Sequence, residues 1–441
     1  MSGQTDRPTL LYKLYCGLTS IIGPVAWRTV RRKLETAGVS PERQKERLGY
    51  PSQPRPKGRL IWFHAASVGE SLSVLSLINR LGDRLPDAEF LITSGTPTSA
   101  ALIERRMPPR TRHQFPPLDT GGPVRRFLDH WRPDAGVFVE SEIWPRLIVE
   151  SANREIPLAL LNARLSDKSV EGWRNRPKTA RFLLGKFRLF LTQNEKTAAN
   201  LIAMGAKKER VHPGTNLKAM SDPLPVDEKV LGTIRKQIAH RPVWIASSTH
   251  PGEEEAVLAA HRQLLKQWPD LLLILIPRHP ERRDDVVDLV RNSALEFALR
   301  SAKQDIITDT QVYIADTLGE TGTWYALCPI VFLGGSLKEI GGHNPFEPAQ
   351  ARAAVITGPG YFNFAETFAP LIKSGGAVEV QDSTGLAQTV AQWLSDSAAL
   401  DAARAATQSC VNTQETALDD VIRVLCQQLD LKKVTDPISS G

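Results

Sequence analysis

The residues best suited to chemistry stand where short apolar runs end. Glu70 follows the run IWFHAA at 61–66, within Ser67-Val68-Gly69-Glu70. A carboxyl partly desolvated beside Trp62, Phe63 and His64 has a raised pKa and suits a general base. The same spacing suits a capping box, with Ser67 as the cap and Glu70 at the third helical position. Glu140 and Glu142 close a second apolar run, in Glu140-Ser141-Glu142-Ile143-Trp144-Pro145. Like charges this close shift each other's pKa, and acids are also favoured at helix starts. Polar and cationic groups follow in Asn162-Ala163-Arg164-Leu165-Ser166 and Thr215-Asn216-Leu217-Lys218. Lys218 either reaches into a cleft between domains or is a surface lysine beside a linker.

The back half carries groups suited to an anion. Ser247-Ser248-Thr249-His250 presents hydroxyls and helix-start amides. Pro277-Arg278-His279 ends the buried run LLLILI, where an Arg suits bidentate phosphate binding. Asp316-Thr317-Leu318-Gly319-Glu320 opens another helix. The densest stretch is Gly334-Gly335-Ser336, then Gly341-Gly342-His343-Asn344-Pro345-Phe346-Glu347. Its glycines let backbone amides approach a ligand, and Asn344, Pro345 and Glu347 fit the cap, first and third positions of a helix. Glycines at a helix start, an acid for ribose hydroxyls and a nearby Arg point to a nucleotide. The pattern is neither GxGxxG nor a P-loop. No HxxxH zinc spacing and no G-x-S-x-G elbow occur, and His279 and His343 suit phosphate or carboxylate contacts better than zinc.

The elements that must position these groups alternate. Apolar runs at 59–66, 89–94, 135–140, 157–162 and 188–193 read as strands, with helical segments at 70–82, 97–106, 122–131, 144–153 and 195–204. After a Pro/Asp-rich linker at 221–229, strands at 243–248, 271–276, 311–315, 330–335 and 353–357 alternate with helices at 252–267, 281–293, 319–327 and 345–350. A helical tail covers about 384–431. Such alternation predicts α/β architecture with parallel sheets: two Rossmann-like domains facing each other across a cleft, with ligands at the carboxyl ends of the strands. The expected boundaries are a leader at 1–35, an N-terminal domain at 36–222 and a C-terminal domain at 223–441, whose last helix can return to the N-terminal domain. The 441 residues are 41% hydrophobic and 23% charged, which fits a folded protein of two or three domains. Four isolated Cys exclude a disulfide scaffold and fit a reducing compartment.

The net charge is +7, and it is uneven. Residues 1–60 hold twelve Lys/Arg and four Asp/Glu, a surplus of eight, so the remaining chain stands at −1. That concentration argues against a nucleic-acid protein, which spreads basic stripes over its folded domains. In residues 9–27, Leu11, Leu14, Leu18, Ile21, Ile22 and Val25 share one helical stripe. Tyr12, Tyr15 and Trp27 suit an interface, and Arg28, Arg31, Arg32 and Lys33 follow at once. Nineteen helical residues span about 28 Å, but Lys13 and Pro24 favour a helix lying in the interface of anionic lipid, or a poor span.

The segments HAASVGE (64–70), VESEIWP (139–145), NARLS (162–166), NLK (216–218), STHPGEE (248–254), PRHPER (277–282), DTLGE (316–320) and GGSLKEIGGHNPFEPA (334–349), in this order, resemble the lipid A 3-deoxy-D-manno-octulosonic acid (Kdo) transferases. The resemblance runs through nearly the whole chain. It implies the GT-B fold, CMP-Kdo as donor and the 6′-hydroxyl of a lipid A precursor as acceptor. It also implies inversion without metal or cofactor, and action at the cytoplasmic face of the bacterial inner membrane. On it, Glu70 is the general base, and Glu140 and Lys218 support the reacting centre, with Glu142 a less certain partner. Pro277, Arg278, Leu318, Gly319, Glu320, Asn344, Pro345, Phe346 and Glu347 hold the cytidylate. Phe346 stands where a smaller aliphatic residue is expected, and Thr215 where Gly is expected. Without the resemblance, the cleft fits a GT-B enzyme using a UDP-sugar equally well, such as a MurG-like transferase or a sugar-nucleotide epimerase.

Overall fold

The computed structural model describes residues 7–65, 68–213 and 223–431, with side chains in those ranges except at 68–73 and 213. The chain forms two compact units, Met1–Ser221 with Thr416–Gly441, and Asp222–Glu415.

The first unit is built on β1 (Arg59–Ala65), β2 (Ala88–Ser94), β3 (Thr111–Gln114), β4 (Ala135–Val139), β5 (Leu158–Ala163), β6 (Leu189–Thr192) and β7 (Val211–Pro213). All pairings are parallel, in the order β3-β2-β1-β4-β5-β6-β7. The central strands are apolar at every position because both faces are covered. Alternation divides their side chains: Ile61, Phe63 and Val137 join one core, and Leu60, Trp62 and Phe138 join the other. The first of these cores is completed from the far end of the chain. Helix Ser397–Gln428 crosses from the second unit into the first, and its Leu418, Ile422 and Leu425, one apolar stripe, pack with Ile61 and Phe63.

The second unit is built on β8 (Val243–Thr249), β9 (Leu272–Pro277), β10 (Phe297–Leu299), β11 (Val312–Ile314), β12 (Ile330–Leu333), β13 (Ala354–Thr357) and β14 (Ala377–Glu379). They pair in parallel in the order β10-β11-β9-β8-β12-β13-β14. In each sheet the chain first builds outward on one side of its first strand and then restarts on the other. The switch points lie between β1 and β4 and between β8 and β12, and ligand crevices form at the carboxyl ends of such strands.

Helix Leu10–Thr36 lies against the first unit. Tyr12 packs in a small core with Val149, Phe182 and Leu183, and Leu34 in another with Ala100 and Phe115. Tyr15 donates a 2.6 Å hydrogen bond to Asp119. Leu11, Leu14, Leu18, Ile21, Ile22 and Val25 all remain exposed, as do Arg28, Arg31, Arg32 and Lys33. Among the described residues no helix is long and apolar enough to cross a membrane. The basic surplus is not all leader: Arg43 pairs with Glu46 and Glu104, Arg47 is buried, and Arg55 pairs with Asp134.

Leu425 is fully buried. Leu425→Ala is expected to destabilise the first unit by about 2–5 kcal/mol, read as a lower urea midpoint by near-UV circular dichroism. A change under 1 kcal/mol would mean that the tail contributes little to that core.

Candidate functional site

At the switch point of the first unit, helix Val68–Arg84 follows β1, which makes Glu70 its third residue. Its side chain lies outside the described residues, as do Ser67 and Lys218. On the other side, Glu140 follows β4 directly and is buried. Its backbone takes φ +56°, a left-handed conformation that side chains other than Gly and Asn resist. The turn is held by its amide donating to the Leu161 carbonyl at 2.9 Å. Asn162, at φ +54° near the end of β5, directs its amide to the Glu140 carboxylate at 3.5 Å.

Glu142 is held separately. The Trp144 indole donates to it at 2.5 Å, and His64 Nε2 stands 3.6 Å away. Complete burial, aided by the charge of Arg47, lowers His64 to about 3, so the ring is neutral. Its Nδ1 is 2.9 Å from Thr93 Oγ1, which itself accepts from the Trp62 indole. The Thr93 hydroxyl also donates to the Phe63 carbonyl at 3.3 Å. With the ring neutral, its contact with Glu142 is not an ion pair.

In the second unit the loops after β8 and β12 are locked together by Glu253. Its buried carboxylate accepts from the amides of His250 (3.1 Å), Gly335 (2.7 Å), Ser336 (2.9 Å) and Leu337 (2.9 Å). Gly334 and Gly335 serve close approach. A Cβ at 334 would lie 2.7 Å from the Ser248 carbonyl oxygen, and one at 335, where φ is +68°, 3.0 Å from the His343 ring. Above this clamp the imidazoles of His250 and His343 stack 5.2 Å apart, with their Nε2 atoms 3.0 Å apart, and His279 meets His250 edge-on at 5.7 Å. Burial, then the neighbouring His250, Arg278 and His279, lowers His343 to about 4, and burial lowers His250. Arg282 is neutralised by buried Glu254 at 2.9 Å, whereas Arg278 is exposed and makes no ion pair with another described residue. A place that expels protons in this way suits an anion.

The remaining expected residues are distributed around this cluster. Pro277 is buried at the end of β9, and the Arg278 amide donates to the Thr249 carbonyl at 3.0 Å. The helix Phe346–Gln350 starts one residue later than expected. Pro345 takes the cap position without a side-chain bond, Asn344 Oδ1 accepts from the Phe346 amide at 3.2 Å, and Glu347 is the second helical residue. Proline has no amide hydrogen, so Phe346 is the first residue whose amide Asn344 can cap. Phe346 is buried in the core, which accounts for its size. Burial, then the charge of Glu347, raises the pKa of Tyr325, whose hydroxyl is 2.8 Å from Ser247 Oγ.

Glu320 is engaged by Arg300 through two bonds of 2.5 and 2.9 Å, and by the Thr317 hydroxyl, and its pKa is lowered by this pairing. Leu318 is 80% exposed, and Gly319 takes φ +86°. Leu318 and Glu320 line a cavity of about 580 Å³ with Arg300, Lys229 and Gln237; Arg278, Asn344 and Glu347 are not part of its wall. The expectation that 247–249 offers its hydroxyls to an anion is corrected in part. Ser247 is spent on Tyr325, and Thr249 is fully buried. Among the described residues no group of three or more His, Cys, Asp and Glu could hold a metal. Glu253 and His250 were missed as individual residues; their signal was the STHPGEE segment, but nothing in its spacing says which way a carboxylate turns.

Replacing Glu253 by Gln puts a donor against two amide donors. Each unmatched group costs about 1–3 kcal/mol, so the second unit is expected to lose about 2–4 kcal/mol in urea unfolding; an unchanged midpoint would show that the clamp is dispensable. The pH dependence has a definite sign. His343 titrates near 4 when folded and near 6.5 when unfolded. The unfolded chain therefore binds the proton first, and stability falls as pH drops from about 6.5 toward 4. His343→Asn should shallow that decline in thermal melts; an identical decline would assign it to other groups.

Residues 42–221 match the family model for 3-deoxy-D-manno-octulosonic-acid transferase (kdotransferase). The chain is 34% identical over 372 residues to 3-deoxy-D-manno-octulosonic acid transferase of Rickettsia felis, covering 84% of this chain and 79% of that protein. It is 36% identical over 348 residues to the Haemophilus influenzae protein of the same name, covering 78% and 81%. A solved glycosyltransferase from Rickettsia africae, 12% identical, superposes with a TM-score of 0.55 over 86% of this chain and all of that one, which speaks for the fold alone. With two parallel α/β sheets of this order and relatives this similar over most of their length, the chain belongs to the Kdo transferases, a family of glycosyltransferases.

Proposed function

We propose that this chain moves Kdo from CMP-Kdo to the 6′-hydroxyl of a lipid A precursor, with inversion at the anomeric carbon. The acceptor oxygen forms a bond to that carbon while the bond to the CMP phosphate breaks, and CMP leaves with the electron pair. Glu70 takes the hydroxyl proton. Its place in the third position of the helix after β1, across the switch point from Glu140, supports this role. Glu140 and Lys218 offset charge as oxocarbenium character and phosphate charge develop. No metal or other cofactor takes part in this proposal.

The observation that carries the reading is a cluster of hydrogen-bond donors in the second unit, one guanidinium with neutral imidazoles. Arg278 and the imidazoles of His250, His279 and His343 gather beside the glycine-rich loop whose amides Glu253 orients. Fixed donors of this kind can meet the charge of a leaving phosphate without reorganising. Pro277, Leu318, Gly319, Glu320, Asn344, Pro345, Phe346 and Glu347 bound the cytidylate site in this proposal. Because Glu320 is held by Arg300, it offers only the lone pairs left over by that pairing to a ribose hydroxyl.

The exposed face of the leader helix, apolar at Leu14, Leu18, Ile21 and Val25 and basic at Arg28, Arg31, Arg32 and Lys33, supports docking on anionic lipid at the cytoplasmic face of the inner membrane. The helix then lies on the surface, since Tyr12 and Leu34 tie it to the first unit.

Incubation with CMP-Kdo and tetraacylated lipid A precursor, read by mass spectrometry, tests the transfer. Glu70→Gln is expected to lower the rate by about 10²–10⁴ while CMP affinity stays near that of the parent. Arg278→Ala is expected to weaken CMP binding by about 1.5–3 kcal/mol, read by calorimetry. Equal loss of binding and turnover in Glu70→Gln would make Glu70 a structural cap, and equal protection by CMP and UDP would favour a UDP-sugar donor.

A further inference from the structure

We propose that a groove between the leader helix and the first unit seats one acyl chain of the lipid acceptor. This rests on the reading of the acceptor as a lipid and adds to it a defined place for the chain. The groove has a volume of about 400 Å³ and is lined by Leu11, Tyr12 and Tyr15 of the leader helix and by Pro145, Trp173 and Arg176 of the first unit.

Its chemistry selects hydrocarbon. The polar groups around it are turned to protein partners: Tyr15 to Asp119 (2.6 Å), Thr179 to Thr9 (2.9 Å), Ser169 to Ser166 (3.0 Å) and Arg176 to the Gly172 carbonyl (3.1 Å). The rest of the lining is mostly aromatic and aliphatic, with the remaining Arg176 N–H groups and the Ser169 hydroxyl as polar exceptions, so each methylene seated against Leu11, Pro145, Trp173 and Leu183 gains about 0.8 kcal/mol of transfer energy.

Two features commit the groove to the acceptor. Pro145 opens the helix Pro145–Asn153 and stands three residues after Glu142 and five after Glu140. A chain lying on Pro145 therefore emerges within about 11–18 Å of backbone reach from the strand-end acids, where a headgroup hydroxyl must react. At the outer edge, Leu11 belongs to the exposed apolar stripe that continues through Leu14 and Leu18, so hydrocarbon can enter without crossing water.

Gly172→Leu fills the groove. A Cβ there meets only Arg176 Nη1 at 3.8 Å, and Leu is a better helix former than Gly, so the fold should tolerate the change. Kinetics are measured with the acylated glucosamine disaccharide bisphosphate in mixed micelles and with its fully deacylated counterpart. The variant is expected to raise KM for the acylated acceptor about tenfold and to leave kinetics on the deacylated one unchanged. No change on either acceptor, or equal loss on both, overturns the proposal. Weaker binding to anionic phospholipid vesicles with unchanged kinetics on the acylated acceptor also overturns it, in favour of a bulk membrane lipid.

A second readout needs no turnover. An acceptor analogue with brominated acyl chains should quench Trp173 fluorescence, measured as the difference between parent and Trp173→Phe, and Gly172→Leu should abolish that difference. If the parent transfers Kdo to neither acceptor, the proposed function fails, and quenching still decides the groove: a Trp173-dependent signal lost in Gly172→Leu supports it, and its absence in the parent refutes it.

Discussion

One buried carboxylate organises the second unit. Glu253 accepts four backbone amides, three from the loop after β12 and one from the loop after β8. A carboxylate withdrawn from water is tolerated only when its lone pairs are met. Here the arrangement fixes two loops on either side of the switch point with a single side chain. Glycines 334 and 335 let those amides converge, and the His250–His343 stack rests on the framework that results. Take away the clamp and the imidazoles lose the framework that holds their stack.

That geometry has an electrostatic consequence. Burial first, and then the Arg278 guanidinium and the neighbouring imidazoles, keep His250 and His343 neutral, with their Nε2 atoms 3.0 Å apart. A phosphate entering the site is drawn by Arg278 and by ring N–H groups, and each proton then becomes easier to keep. In the proposed reaction these fixed donors meet the phosphate with their charge state set before the ligand arrives. At His64 burial also keeps the ring neutral, but there it stands 3.6 Å from a single carboxylate, that of Glu142.

Much of this was legible in the residues. Each central strand was expected within two residues of its ends, because a strand buried on both faces reads as an unbroken apolar run. The four strands not anticipated, β3, β7, β10 and β14, are three or four residues long, and β3 (TRHQ) carries no apolar signal at all. Their identity comes from pairing at or near a sheet edge, which local sequence does not encode. The helices 41–45, 167–174, 177–184, 228–238 and 365–374 also escaped notice. Several begin at Pro or follow a polar cap, and in 167–174 only Val170 is buried, which leaves little periodicity to see. In the site, Arg278 and the 334–347 loop were visible as types and spacings. The Glu253 clamp and the Glu320–Arg300 pair were not, since which way a carboxylate turns depends on partners 20 to 84 residues away. The groove beside Trp173 was equally hidden, because it exists only once the leader helix is docked.

Backbone conformation at the strand ends is alike in the two units. Glu140, Asn162 and Ser248 all take φ near +55°, each at the carboxyl end of a central strand. Asn accepts that region readily, whereas Glu and Ser do so at a cost of order 1–3 kcal/mol. Glycine would remove the strain at 140 and would lose the carboxylate. Keeping Glu there means that the kink and the acid are needed together. The kink takes the chain out of the sheet and sets a buried carboxylate at the crevice edge beside the Asn162 amide, where a regular strand would have sent it toward one face of the sheet. Strain at Ser248 plays the matching part in the second sheet. It turns the chain so that Gly334 packs on its carbonyl and the β8 loop reaches Glu253. Left-handed backbone also occurs elsewhere in the chain, at Ala239 and Arg352 among others, but at Glu140 and Ser248 it falls beside the switch points, where the chain leaves the sheet.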